Sequence, residues 1–307
     1  MTLDPRAKRL LDMLSLSGAA ADHSAAARRD GFAKLMQMGS KPAGIARLRD
    51  IDIDGPGGSL RIRLYDAEET RSGDAAALVF FHGGGLVAGS IDTHDGICRS
   101  LALSSGAIVI SVDYRLAPEH RFPASLIDAA FAFNWIATEA STLGIGPARI
   151  AIGGESAGAL LATLISNGHH PVRTRIKAQL LLCPVIDLAG DFGSRREFAK
   201  GYLIDAATLK RDIAHCLGEG APASALPSPL RHGSPQLSPP TVIVSAECDP
   251  FRDEAAHYAV LLSQAGVQVR HTCHSGMLHS FYGLPALLPQ AIPALRAAGE
   301  QLAELLG

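Results

Sequence analysis

Hydrophobic positions fall into two patterns along the chain. From residue 76 onward, short unbroken apolar runs recur: Leu78-Val79-Phe80-Phe81, then residues 107–112, 149–153, 178–183 and 241–246. A strand covered on both faces reads this way, because neither side of its pleat meets water. Residues 267–273 form a more mixed run that fits one further strand. Between the runs lie stretches of helical composition, residues 93–103, 123–142, 157–167, 253–265 and 290–306. Strand alternating with helix predicts a mostly parallel sheet with helices on both faces. Upstream, residues 49–53 and 60–65 alternate polar with apolar about Gly55-Pro56-Gly57-Gly58, which predicts an antiparallel hairpin at one edge. The expected architecture is α/β with about eight strands.

Two segments depart from this rhythm. Residues 1–45 carry Leu10, Leu11 and Leu14, then Phe32, Leu35, Met36 and Met38, at helical spacing, interrupted by Gly18 and Pro42. Residues 183–241 contain no strand pattern, only a helical stretch over 205–217 and a Pro- and Ser-rich run over 221–240. An insertion there falls at the carboxyl ends of the strands, where open α/β sheets bind ligands. The expected organisation is an α/β domain of residues 46–187 and 223–307, with residues 1–45 and 188–222 as a helical cap.

The candidate chemistry centres on Gly154-Glu155-Ser156-Ala157-Gly158, between the run at 149–153 and the Ala- and Leu-rich stretch at 157–165. A serine on so tight a strand-to-helix turn presents its hydroxyl at the end of the sheet, and the flanking glycines make room for the turn. In a chain with 31 glycines such a motif arises readily by chance, so the other catalytic parts must decide. His82-Gly83-Gly84-Gly85 follows the strand at 78–81 and is a rarer pattern. Its backbone N–H groups can approach a reacting carbonyl closely enough to stabilise an oxyanion. Gly83, Gly84 and Ala157 are the expected donors, with Gly85 supplying the turn and His82 bracing the loop from behind. The loop lacks the Lys and Ser/Thr that a phosphate-binding loop needs. Asp249 follows the run at 241–246 and can orient a histidine, with Asp253 and Glu247 as rivals. His279 comes last and is the expected base, with His274 as the alternative; His271 lies within a strand pattern. The order Ser, Asp, His is that of an α/β-hydrolase.

Composition narrows the function. The formal net charge is −2, with no basic run to follow a phosphate backbone, so no nucleic-acid partner is expected. No apolar run reaches bilayer length and no leader peptide is visible. The five cysteines are scattered and odd in number, without C-x-x-C or zinc spacing. They imply reduced thiols and a cytoplasmic location. No metal or organic cofactor is expected. His169-His170 is a weak metal candidate, better read as a solvated helix end.

With these residues in view, the chain resembles the hormone-sensitive lipase family of α/β-hydrolases, the bacterial family IV carboxylesterases, over roughly residues 45 to 305. The similar stretches are the 82–85 loop with Gly89-Ser90 and Asp92-Thr93-His94-Asp95, and Asp113-Tyr114-Arg115-Leu116-Ala117-Pro118-Glu119-His120 with Phe122-Pro123-Ala124. The serine turn, Asp249-Pro250-Phe251-Arg252-Asp253-Glu254 and His279-Ser280-Phe281 complete the set. Three departures stand out: Glu155 where Asp is commoner, Ser280 for a frequent Gly, and Phe251 for a frequent Leu. Glu155 keeps a carboxylate behind the serine. Arg115 and Glu119 are expected to form structural ion pairs. The resemblance implies a serine carboxylesterase acting on short- to medium-chain acyl esters, and a homodimer. Phe198, Tyr202, Leu203, Leu209 and Phe281 are the candidate pocket residues. An amidase, lactonase or deacetylase on the same three residues is the main rival. An interfacial lipase would need an amphipathic lid that does not stand out, and a non-catalytic receptor would have no need of all three.

Overall fold

The computed structural model describes residues 2–16, 23–39, 42–71, 73–226 and 228–307; Gly18 and Pro227 lie outside them. Two helices open the chain, α1 (Pro5–Leu16) and α2 (Ala25–Gln37). Ser24 caps α2, its side chain accepting from the Ala27 N–H at 3.1 Å. The hairpin follows as β1 (Arg47–Gly55) and β2 (Gly58–Asp66), longer at both ends than the alternation suggests, because the antiparallel ladder runs on from Arg47↔Asp66 to Gly55↔Gly58.

The remaining strands alternate with helices: β3 (Ala75–Phe81), α3 (Asp95–Ser105), β4 (Ile108–Val112), α4 (Ala124–Thr138), β5 (Ile145–Glu155), α5 (Ala157–Ser166) and β6 (Gln179–Leu182). After the insertion come β7 (Thr241–Cys248), α9 (Arg252–Gln264), β8 (Val269–Leu278) and α10 (Ala291–Leu306). The insertion holds α6 (Gly193–Glu197), α7 (Ala206–Leu217), α8 (Pro229–His232) and short 3-10 turns, with no strand among its described residues. Asp205 caps α7 by accepting from the Thr208 N–H at 2.7 Å.

The strands form one eight-stranded sheet in the order β1-β2-β4-β3-β5-β6-β7-β8. β1, β2 and β4 pair antiparallel and every other pair is parallel. The apolar runs lie in the middle of this sheet. All residues of β4 and β6 are buried, and Leu78, Val79, Phe80 and Phe81 of β3 are fully covered. Side chains alternate between two cores. Val79, Phe81 and Ile152 face α4 and α5, while Leu78, Phe80 and Ala151 face α3 and α10. α1 joins the second core through Ala7 and Leu10.

Tight packing of α5 against β3 brings the serine turn to the loop after β3. A Cβ on Gly158 would sit 2.0 Å from the Phe81 carbonyl oxygen and 2.5 Å from that of His82. Gly158→Ala therefore has to push backbone from backbone, at a cost of about 3 kcal/mol. It is expected to lower Tm; an unchanged Tm would mean that helix and strand separate freely.

Candidate active site

Ser156 occupies the one residue between β5 and α5, at φ 54 and ψ −116. A non-glycine residue holds this strained conformation only where its surroundings enforce it. They do so here through hydrogen bonds and close packing. The Ser156 N–H donates to Leu182 O at 2.9 Å, and the Ser156 carbonyl accepts from Leu160 N at 3.2 Å. A Cβ on Gly154 would lie 2.4 Å from the Gly158 carbonyl carbon, so both flanking glycines are required by space.

Three sheet ends meet at the serine. His279 directly follows β8, and its Nε2 lies 2.9 Å from Ser156 Oγ. Asp249 directly follows β7, and its Oδ2 lies 2.8 Å from His279 Nδ1. The second carboxylate oxygen of Asp249 accepts from the Phe251 N–H at 2.8 Å, which fixes the carboxylate plane. All three residues are buried. Burial alone would push the His279 pKa down, but Asp249, with Glu155 and Glu254 behind it, outweighs this and raises it above the ordinary histidine value. A neutral imidazole with its proton on Nδ1, facing Asp249, leaves Nε2 free to take the serine proton.

The rival residues are engaged elsewhere. Asp253 stands in the first turn of α9, accepting from the Ser194 N–H at 2.7 Å and pairing with Arg252. Glu247 accepts from the Gly276 N–H at 2.7 Å. His274 lies inside β8 against the Phe281 ring, and His271 Nε2 is 2.9 Å from Ser245 Oγ. The Cys183 thiol lies beside Asp249 and His279, their ligand atoms within 4.8 Å of one another. Burial lifts its pKa well above the usual thiol value, so it packs behind the acid as a protonated side chain. Neither His169 nor His170 belongs to a metal-ligating cluster among the described residues.

The 82–85 loop rests on a polar scaffold. His82 is fully buried, stacks on Tyr114 with ring centroids 4.2 Å apart, and lies with Nδ1 2.8 Å from Gly83 O. Burial, aided by nearby His94, pushes its pKa down to about 3, so the ring is neutral. The Tyr114 hydroxyl donates to His82 O at 2.7 Å. His82 thus braces the loop.

Gly83 departs from expectation. Its N–H donates to His94 Nε2 at 3.0 Å and is therefore spent on the protein. Its missing side chain matters instead, because a Cβ there would lie 1.8 Å from Glu155 Oε2. The N–H groups of Gly84 and Gly85, at φ +115 and +70, meet no protein acceptor among the described residues. Ala157 is the first residue of α5, so its N–H has no partner within the helix. The sequence marks the glycines but not their acceptors. His94, which commits Gly83, lies 11 residues further on and was visible only as part of a motif.

Glu155 and Ser280, two departures noted in the sequence, touch each other. The Ser280 hydroxyl donates to Glu155 Oε1, and Glu155 Oε2 approaches His94 Nε2 at 3.4 Å. Burial raises the Glu155 pKa, but His94, His279 and Ser280 more than offset it and hold the carboxyl below its usual range. Ser280 has φ +56, a left-handed position that explains why glycine is common there. The longer Glu155 therefore ties the histidine loop to the loop after β3. Arg115 and Asp128 make two hydrogen bonds of 2.8 Å, and Glu119 pairs with Arg29 of α2 at 2.5 Å. Arg29 also donates to Val87 O at 2.8 Å and Ala117 O at 2.9 Å, which latches α2 beside the 82–85 loop.

A cleft of about 270 Å³ opens onto His279 and Ser280 between α2 and the start of α7. Of the candidate pocket residues, Leu203 lines it. The other expected pocket residues do not. Phe198 and Phe281 are closed into the core at 2% and 0% exposure, where apolar packing outweighs access. Tyr202 packs edge-on against Phe198 at 4.8 Å. Leu209 faces a second cleft of about 420 Å³ with Arg195, Ala199 and Ile213. Phe32 and Leu35 of the α2 apolar stripe line the first cleft, with residues that the sequence reading did not single out: Ala27 of α2, and Ile204, Thr208 and Arg211 on the opposite wall. The apolar stripe of α2 could be read as a packing face or a pocket wall, and nothing local distinguishes the two.

A sequence profile described as alpha/beta hydrolase fold matches residues 78–283. With the sheet, the serine turn and the residues gathered at its end, this shows that the chain belongs to the α/β-hydrolases. It is 36% identical to an ethyl acetate hydrolase of Pseudomonas putida, over 81% of this chain and 80% of that protein. It is 34% identical to the carboxylesterase NlhH of Mycobacterium tuberculosis, over 99% and 95% respectively. A hyperthermophilic esterase from the archaeon Pyrobaculum calidifontis has a similar structure, with a TM-score of 0.90, 33% identity and 99% coverage of both chains. An ester hydrolase from the Lake Arreo metagenome superposes with a TM-score of 0.92 at 32% identity, also over 99% of both chains. Within the α/β-hydrolases, the chain is a carboxylic ester hydrolase of the hormone-sensitive lipase type, as its motifs implied. No helix among the described residues is long and apolar enough to cross a membrane.

Proposed function

We propose that this enzyme hydrolyses short- to medium-chain acyl esters through an acyl-enzyme formed on Ser156. The observation that carries the reading is the continuous hydrogen-bonded line from Ser156 Oγ through His279 to Asp249, at 2.9 and 2.8 Å. Ser156 Oγ attacks the ester carbonyl while His279 Nε2 takes its proton. Asp249 stabilises the imidazolium and holds the ring in place. The oxyanion is received by the N–H groups of Gly84, Gly85 and Ala157, with Gly85 in the role first expected of Gly83. His279 then protonates the departing alcohol. Water, activated by the same ring, attacks the acyl carbon and releases the acid and the free serine.

A cleft near 270 Å³ is at the small end of ligand pockets and favours short chains. Residues 1–45 and 188–222 are assigned to the cap on the same basis, since α2 and α7 flank this cleft. We also assign a cytoplasmic location and a homodimer. β8 is the last strand of the sheet; the Asp4 N–H covers its edge at Gly276, and the stretch before that is where a second copy would pair. The test of the central reading is hydrolysis of p-nitrophenyl esters from acetyl to lauroyl. Activity should be greatest at short chains; well-folded protein without activity on any of them would sink it.

The reading has a pH signature. His279 must be neutral to accept the serine proton, and its pKa is raised. Activity is therefore lost as pH falls through that pKa, and the acid limb of kcat/KM is expected to have its midpoint above the ordinary value of about 6.5. A midpoint well below that value would mean that Asp249 does not stabilise the charged ring.

A further inference from the structure

The charges around the cleft are unbalanced. Its lining includes Arg28 and Arg211, and none of its lining residues is acidic. Arg28 is matched, since its Nη2 lies 3.3 Å from Asp212 Oδ2. Asp212 hydrogen-bonds Arg28 and acts on Arg211 only through its charge at longer range. It is 6% exposed and packed over the 82–85 loop, where a Cβ on Gly85 would come within 2.3 Å of its Oδ2. Arg211 makes no close ion pair of its own among the described residues. Its Nη2 donates to the neutral Thr208 Oγ1 at 3.0 Å, and among the described residues no carboxylate pairs with it. The side chain is half-buried in the same wall. A guanidinium stays charged at any working pH, and withdrawing it from water without a counter-charge is unfavourable. Its planar N–H donors suit a carboxylate.

We infer that the cleft selects esters bearing a carboxylate, with Arg211 as the residue that receives it. The inference rests on the esterase reading and names its substrate class. The chemistry is ordinary hydrolysis: water cleaves the acyl C–O bond, the alcohol leaves protonated, and the new acid releases one proton to solvent. The carboxylate can stand on the acyl side, as in a monoalkyl ester of a dicarboxylic acid, or on the alcohol side, as in an acetylated hydroxy acid.

The test compares matched pairs in a pH-stat at low salt. Monoethyl glutarate is set against ethyl pentanoate for the acyl side, and 3-acetoxypropanoate against propyl acetate for the alcohol side. For one pair, kcat/KM is expected to favour the anionic member by about tenfold, the effect of one charge-assisted hydrogen bond. Arg211→Gln should lower that ratio about tenfold, and Arg211→Lys should restore part of it. A structural defect would lower both members of a pair alike and leave the ratio unchanged. Anionic-to-neutral ratios at or below one in both pairs, or a ratio unmoved in Arg211→Gln, would overturn the inference while leaving the esterase reading intact. Absence of turnover of all four esters would overturn both.

Discussion

Ser156→Ala is expected to lower kcat/KM for p-nitrophenyl butyrate by about a million-fold. The size of the effect follows from what the hydroxyl does in this geometry. In the proposed mechanism its oxygen is the atom that becomes bonded to carbon, and it lies 2.9 Å from His279 Nε2, the proposed base. Alanine leaves His279, Asp249 and the free N–H groups in place but removes the covalent route. A small residual rate, from oxyanion stabilisation and binding alone, should persist at roughly 10³-fold over water. The backbone of the turn is held by the Leu182 and Leu160 hydrogen bonds and by the packing of Gly154 and Gly158, none of which uses the hydroxyl. The variant should therefore fold normally by circular dichroism. Retention of more than a few per cent of the activity in purified Ser156→Ala would exclude this serine as the nucleophile.

Asp249→Asn is expected to lower kcat by about 10⁴-fold with KM little changed. The argument lies in which atoms Asp249 already serves. One of its oxygens accepts from the Phe251 N–H at 2.8 Å and the other faces His279 Nδ1 at 2.8 Å. An asparagine must keep its oxygen toward the Phe251 N–H, because an amide nitrogen there would put donor against donor. Its NH₂ then faces His279 Nδ1 and can only donate. The ring proton is driven to Nε2, so the nitrogen facing Ser156 can no longer accept the hydroxyl proton. The loss should be partly relieved at high pH, where the hydroxyl is easier to ionise. A variant as active as wild type at pH 7 would show that the ring needs no partner to hold its tautomer.

Much of this protein was legible in its sequence because the relevant signals are local. Buried parallel strands need apolar residues on both faces, so β3, β4 and β6 announced themselves as unbroken runs. The serine turn was legible because only glycine fits where Gly154 and Gly158 meet backbone. Asp249 and His279 stood out by following strand patterns, since the carboxyl end of a parallel sheet is where loops converge. β8 was read only as far as residue 273 because His274-Ser275-Gly276 interrupts the pattern before the buried Met277 and Leu278.

What the sequence could not carry were the partners chosen across long separations. Which of Asp249, Asp253 and Glu247 meets the histidine depends on how α9 begins, and Asp253 is taken by Ser194, 59 residues away. Gly83 and Gly85 look equivalent in a run of three glycines, yet His94 engages one N–H and leaves the other free. Glu155 and Ser280 were two isolated departures until the fold brought a carboxylate to a hydroxyl 125 residues away. Phe198 and Phe281 suited a pocket by composition but were drawn into the core, while α2, latched by Arg29 to Glu119, supplied the wall instead. By itself the sequence determined the strands, the nucleophile turn and the order of the reacting groups, because steric and hydrophobic requirements act on neighbouring residues. Only the tertiary structure decided which N–H is free, which carboxylate faces the ring and which side chains line the cleft, because hydrogen bonding and burial at those points are settled by groups from distant parts of the chain.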